Sequence, residues 1–210
     1  DYKVKTFHLN DSISIANGSF ISNGGGGDLH STLSWNPETT NMSFFEWNTQ
    51  ILGLDKINLE ILPSYFNVKE HRWDIAQIAQ VAIEPKHIHI DNFLMKRDNQ
   101  FISVDGALSE DESESLVIQT NDFQLEDFSE IISLSSGLKG VVNAKVVLSN
   151  PYSDMRFIGE ADVDDSFVNN QEVGDVNVAG YWDKAKESIN LTGDLIFKKE
   201  KTFTFHGDYY

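Results

Sequence analysis

Leu138-Lys139-Gly140-Val141-Val142-Asn143-Ala144-Lys145-Val146-Val147-Leu148 reads with a period of two. Leu138, Val142, Ala144, Val146 and Leu148 share one parity with Gly140, and Lys139, Asn143 and Lys145 take the other. Successive side chains of a strand point to opposite faces, so this stretch has one dry face and one wet face. The same alternation recurs at Ile57-Leu59-Ile61, Ile88-Ile90, Ile102-Val104, Val176-Val178, Ile189-Leu191 and Phe203-Phe205. Turn-forming pairs such as Asn17-Gly18, Asn23-Gly24, Asp105-Gly106, Ser136-Gly137, Asn150-Pro151, Gly174-Asp175 and Gly193-Asp194 punctuate it. The pattern predicts an all-β, mainly antiparallel meander. Gly106 and Gly193 fall inside alternating runs and read as bulges; Gly24–Gly27 reads as an exposed loop.

One segment departs from period two. Leu125, Phe128, Ile131 and Ile132 follow a 3-4 spacing, with Asn121 or Asp122 as a cap and Gly137 just beyond. This predicts one short helix near residues 124–133. Trp73–Gln80 fits a helix or a strand. A weak repeat relates Phe101–Leu108 to Ser188–Leu195, as in a sheet that extends by adding strands.

The chain has 210 residues with 16 basic and 33 acidic side chains, a net charge of −17. Nucleic acid is excluded as a partner, because phosphate binding needs clustered Lys and Arg. The same charge argues against docking on an anionic membrane surface. There is no Cys, hence no disulfide, thiolate metal site or Cys nucleophile. No apolar run approaches the roughly 20 residues of a transmembrane helix. Asp1–Lys5 lacks the apolar region of a signal peptide. The chain starts and stops in mid-pattern and reads as one β-rich module, residues 1–210, cut from something longer.

Motifs for chemistry are scarce. His87, His89 and Asp91 share one strand face and form the best metal candidate, although a solvated polar face explains them as well. Asp162, Asp164 and Asp165 resemble the start of a calcium loop, but Phe167 and Val173 stand where the template needs Gly and Glu. No Gly-x-Ser-x-Gly elbow occurs, and nothing selects a carboxylate pair for glycoside hydrolysis. No catalytic residue, cofactor or metal is therefore assigned, and the chain reads as non-enzymatic.

A further set of pieces occurs in order. Trp73-Asp74-Ile75 is followed by Ile88-His89-Ile90-Asp91-Asn92-Phe93 and Gln100-Phe101-Ile102-Ser103-Val104-Asp105-Gly106. Then come Leu116-Val117-Ile118, the short helical segment, the strand to Leu148, Phe157-Ile158-Gly159-Glu160-Ala161, and Glu172–Val178 with Gly180-Tyr181-Trp182-Asp183. This order resembles the TamB/AsmA-like bacterial envelope proteins over about two thirds of the chain; residues 1–72 carry no distinctive piece. The resemblance implies a long sheet curled into an open apolar trough, or β-taco, in the periplasm of a Gram-negative cell. It implies an inner-membrane anchor elsewhere in the protein, phospholipid acyl chains as ligand, and an outer-membrane barrel partner.

In such a trough Ile102, Val104, Val142, Ala144, Val146, Val176, Val178, Ile189 and Leu191 would line the floor. Acyl chains would slide along it at about 0.8 kcal/mol for each buried CH₂. Alternation alone also fits a β-sandwich, in which a second sheet about 10 Å away fills the dry face. That alternative makes the chain an adhesin or glycan-binding module, with Trp35, Trp47, Trp73 and Trp182 as a sugar platform. Another alternative is a chaperone-like trough that receives unfolded strands at a free edge.

Overall fold

The computed structural model describes residues 2–10, 15–36, 41–68, 71–128 and 137–210. Strands take up well over half of them, nearly all pairing is antiparallel, and a single one-turn helix is present among the described residues. The chain forms two compact units, Asp1–Arg97 and Asp98–Tyr210.

Unit 1 contains β1 (Tyr2–Asn10), β2 (Ile15–Gly25), β3 (Asp28–Trp35), β4 (Ser43–Ile51), β5 (Ile57–Ile61), β6 (Ser64–Val68), β7 (His71–Ile75), β8 (Ala79–Glu84) and β9 (His87–Arg97). It departs from a plain meander in one place. β5 pairs β8, while β6 pairs β7, and both pairs lie between the long strands β4 and β9. In effect one hairpin is bent midway. The bend falls at Leu62-Pro63 on one arm and at residues 76–78 on the other, because Pro63 has no N–H to give the ladder. It is pinned by hydrogen bonds to β4. Leu62 N–H donates to the Glu46 carbonyl at 2.9 Å, and the Ser64 hydroxyl accepts from Glu46 N–H at 3.0 Å while donating to the Leu62 carbonyl. Trp73, Ile75 and Ala79, all within 1% of full burial, sit at this bend. The ambiguous Trp73–Gln80 segment is thus two short strands around a turn.

Unit 2 contains β10 (Gln100–Leu108), β11 (Leu116–Gln124), α1 (Leu125–Phe128), β12 (Lys139–Ser149), β13 (Arg156–Val168), β14 (Gln171–Asp183), β15 (Ser188–Phe197) and β16 (Glu200–Tyr209). Each strand pairs with the next, a regular meander. The helix is confirmed for its first turn; residues 129–133 of the expected span lie outside the described residues, as does Ser136. α1 rests on β12, where Glu126 Oε2 accepts the Gly140 N–H at 3.3 Å. Among the described residues no helix is long and apolar enough to cross a membrane. Among the described residues the strands of each unit join into one hydrogen-bonded sheet, with no separate second sheet.

The hairpin turns are where the sequence misleads. Two-residue turns with both φ angles positive match the natural twist of the strands they join. Gly26-Gly27, Asn169-Asn170 and Lys198-Lys199 are such turns, with flanking pairs Gly25↔Asp28, Val168↔Gln171 and Phe197↔Glu200. The glycine run is therefore no loop: Gly24 and Gly25 belong to β2, and only Gly26 and Gly27 turn. Asn17-Gly18, Asp105-Gly106, Gly174-Asp175 and Gly193-Asp194 all lie inside strands. Gly193 is not a bulge either. It pairs in unbroken register with Val178 and Phe205, and the Phe205 ring occupies the place a Cβ would take.

Candidate functional site

Cross-strand partners point to the same face, so the register of unit 2 sorts its side chains into two sets. One row runs Val104–Ile118–Val146–Gly159–Gly180–Leu191–Gly207 across all seven strands. Beside it runs Ile102–Thr120–Ala144–Ala161–Val178–Gly193–Phe205. A third joins Phe123, Val142, Val163, Val176, Leu195 and Phe203, and a fourth ends Trp182–Ile189–Tyr209. All nine residues expected on a common floor lie in these rows. Ile118, Ala161, Val163 and Leu195 join them by register, which the strand-by-strand reading had no means to supply. The rows contain no charged side chain.

These dry-face residues are mostly half-buried. Among the described residues of unit 2, only Ala107 and Leu116 are buried apolar side chains. Phe203 and Tyr209, on the last strand, are 59% and 68% exposed. The glycines let neighbouring rings lie flat on the sheet, with Phe157 over Gly159 and Gly180 and Phe205 over Gly193. The rows are thus mostly methyl groups, ring faces and glycine backbone, with Thr120, Trp182 and Tyr209 as the residues in them that carry a polar side-chain group.

The opposite face of unit 2 is charged. Lys145 faces Glu160 across the β12–β13 pair, and Asp162 faces Asn177, which faces Asp194. Lys201 Nζ donates to Asp194 at 2.6 Å and holds that carboxyl below its usual range, helped by Thr204. Asp208 is lowered in the same way by Lys186 and Asn190. Asp164 goes the other way. Partial desolvation raises its pKa, and the negative charges of Asp175, Asp162, Asp165 and Asp122 add to the rise. The carboxyls that resembled a calcium loop therefore repel one another at the bulge after Val163.

In unit 1 the dry face is aromatic. Its rows run Phe20–Leu33–Phe45, Ser22–Ser31–Trp47–Ile61–Ala79 and Leu29–Thr49–Leu59–Val81–Ile90. Ring centroids stand 5.9 Å apart for Phe20 and Trp47, 5.2 Å for Phe45 and Trp47, 5.7 Å for Phe45 and Phe66, and 5.3 Å for Trp35 and Phe66. These spacings suit offset or tilted aromatic pairs. Trp73 is fully buried and offers no surface to a sugar, and Trp35, Trp47 and Trp182 are half-buried.

His87, His89 and Asp91 lie on the wet face of β9, opposite Glu84, Ala82 and Gln80. The two imidazole centroids are 6.4 Å apart, and among the described residues no three His, Asp or Glu side chains converge enough to hold a metal ion. A second wet-face feature escaped the sequence reading. Asn23, His30, Asn48, Glu60, Gln80 and Asp91 form one row across β2, β3, β4, β5, β8 and β9, although they span 68 positions of sequence (91 − 23).

Compared with protein-family models, with curated proteins and with solved structures, the chain matches none.

Proposed function

We propose that the chain is a non-enzymatic β-module whose dry sheet face takes up phospholipid acyl chains, as a periplasmic piece of a TamB/AsmA-like envelope protein. It would pass lipid between the inner and outer membranes or serve the assembly of outer-membrane proteins. One observation carries this reading. Unit 2 presents uncharged rows that run from strand to strand, and their described residues are mostly half-exposed. An apolar face of this extent needs an apolar occupant. Alkyl chains suit it because an alkyl chain makes no hydrogen bond to any of these residues, so it is free to shift along the rows without breaking one. Each CH₂ removed from water contributes about 0.8 kcal/mol, so about ten buried carbons supply roughly 8 kcal/mol, the scale of micromolar binding.

The test is direct. Solvent extraction and mass spectrometry of the purified chain, after washing with excess detergent-free buffer, should find phospholipid in stoichiometric amount. A lipid-free preparation that also fails to take up a fluorescent fatty acid would end the proposal.

A further inference from the structure

We propose that the wet face of unit 1 carries a binding site for neutral saccharide, centred on Asn48 and Glu60. It lies on the face opposite the lipid rows' counterpart in that unit and is independent of the lipid reading. The observation is a cavity of about 580 Å³ above the polar row. That volume lies within the range of small-ligand pockets, roughly 300–1,000 Å³.

The side chains in it are already aimed. His30 Nδ1–H donates to Asn48 Oδ1 at 2.9 Å, and Asn48 Nδ2–H donates to Glu60 Oε2 at 2.7 Å. Gln80 Nε2–H donates to Glu60 Oε1 at 3.2 Å. The His30 Nε2 stands 3.1 Å from Glu46 Oε1, a contact that becomes an ion pair when both ring nitrogens carry protons. Asn48 is thus locked in one amide orientation from both ends, and Glu60 is held by two amides. Fixing these groups before binding lowers the entropy lost when a ligand arrives.

The lining selects the ligand class. No Lys or Arg lines the cavity while Asp28 and Glu60 do, so phosphate, sulfate and uronate are disfavoured. Among the described residues Leu29 is the one large apolar residue bordering it, and by register its side chain belongs to the dry face, so the cavity gives no seat to an alkyl or aromatic ligand. Among the described residues no triad of ligating groups converges for a metal. What remains in excess is hydrogen-bonding capacity of both kinds. Each Glu60 oxygen keeps a free lone pair, Asn48 and Gln80 each keep an N–H, and the amide oxygens accept. A hydroxyl is both donor and acceptor. Adjacent hydroxyls of a sugar ring would donate to Glu60 and accept from Asn48 or Gln80, completing groups that point into the cavity.

The test is titration of the 210-residue chain, followed by NMR, with maltohexaose and cellohexaose as neutral probes. A chitosan oligomer and an oligogalacturonate serve as cationic and anionic comparisons. The expected result is saturable shifts of the Asn48 and Gln80 side-chain amides and the His30 ring with a neutral probe. Glu60→Gln keeps the shape and removes the charged acceptor, so it should weaken binding about tenfold or more. Asn48→Ala should do likewise, and Asp194→Asn in unit 2 should leave binding unchanged. The proposal is overturned if neither neutral probe gives saturable shifts, if the shifts map elsewhere, if the cationic oligomer alone binds, or if Glu60→Gln binds as the parent does. The mapping on the unmodified chain decides the matter even if a variant folds poorly.

Discussion

Unit 1 and unit 2 use the same device, a single antiparallel layer with one dry face, and fill that face in opposite ways. Unit 1 packs rings on rings and seals Trp73, Ile75 and Ala79 at the bend between its short hairpin pairs. Unit 2 spreads Val, Ile, Leu and Ala in rows, lowers the relief with glycine, and among its described apolar residues seals only Ala107 and Leu116. A bent layer covers its own apolar groups where the bend brings them together, and large rings reach across strands to do so. A regular meander of aliphatic residues covers less, because Val and Ala do not reach beyond their neighbours. One-sidedness alone does not make a core; side-chain reach and a bend do.

The largest expected effect tests the sealed bend. Trp73→Ala should cost about 3–5 kcal/mol, the usual loss for a buried large aromatic, and lower the melting temperature of unit 1 strongly. A loss below about 1 kcal/mol in denaturant titration would show that the bend is no core. Gly193→Val comes next, at about 1–3 kcal/mol. Its Cβ would displace the Phe205 ring and lie 2.6 Å from the Asn177 carbonyl oxygen. Phe205→Ala should relieve part of that cost, and a double-mutant cycle that finds the two changes additive removes the flat-ring account.

Val178→Asp sharpens the contrast. In a sealed core an unpaired carboxylate costs several kcal/mol. On a half-exposed row between Ala161 and Gly193 the carboxylate reaches water, so the chain should still melt cooperatively while bound phospholipid falls. Asn177→Asp, on the wet face, should retain lipid. Failure of Val178→Asp to fold would make unit 2 a closed core like the bend of unit 1, and full lipid content would remove Val178 from the lipid path.

The smallest effect concerns Asp164. Its pKa is raised in the fold, so the folded chain holds that proton more tightly than the unfolded one, and the ionised form weakens folding at neutral pH. Stability from this group is recovered as pH falls through the raised value. Asp164→Asn should therefore raise the melting temperature slightly at neutral pH, with the gain vanishing once pH drops below the ordinary aspartate range. A gain that grows toward acid pH would contradict the assigned cause.

Strand content and the membership of the dry parity were legible in Val142-Ala144-Val146 or Ile189-Leu191, where period two is local and unbroken. Turns were less so. Gly193 reads from sequence as a bulge but serves for close approach of Phe205, while the turn that follows is made by Lys198-Lys199. Bulges were illegible too. Asp122 and Asp165 take positive φ and shift the register between Thr120 and Phe123 and between Val163 and Ser166. A shift of one residue carries every later side chain to the other face, so parity cannot be counted through such a site from sequence.

Residue type and a two-residue period suffice for an all-β chain, an acidic wet surface and the apolar parity of each unbroken run. Only the tertiary structure decided which rows join across strands, that β6 and β7 bend away from β5 and β8, and that His30, Asn48, Glu60 and Gln80 meet. The physical reason is that row membership is set by inter-strand register. Register depends on bulges, turn lengths and partners tens of residues apart, none of which leaves a periodic mark in the chain.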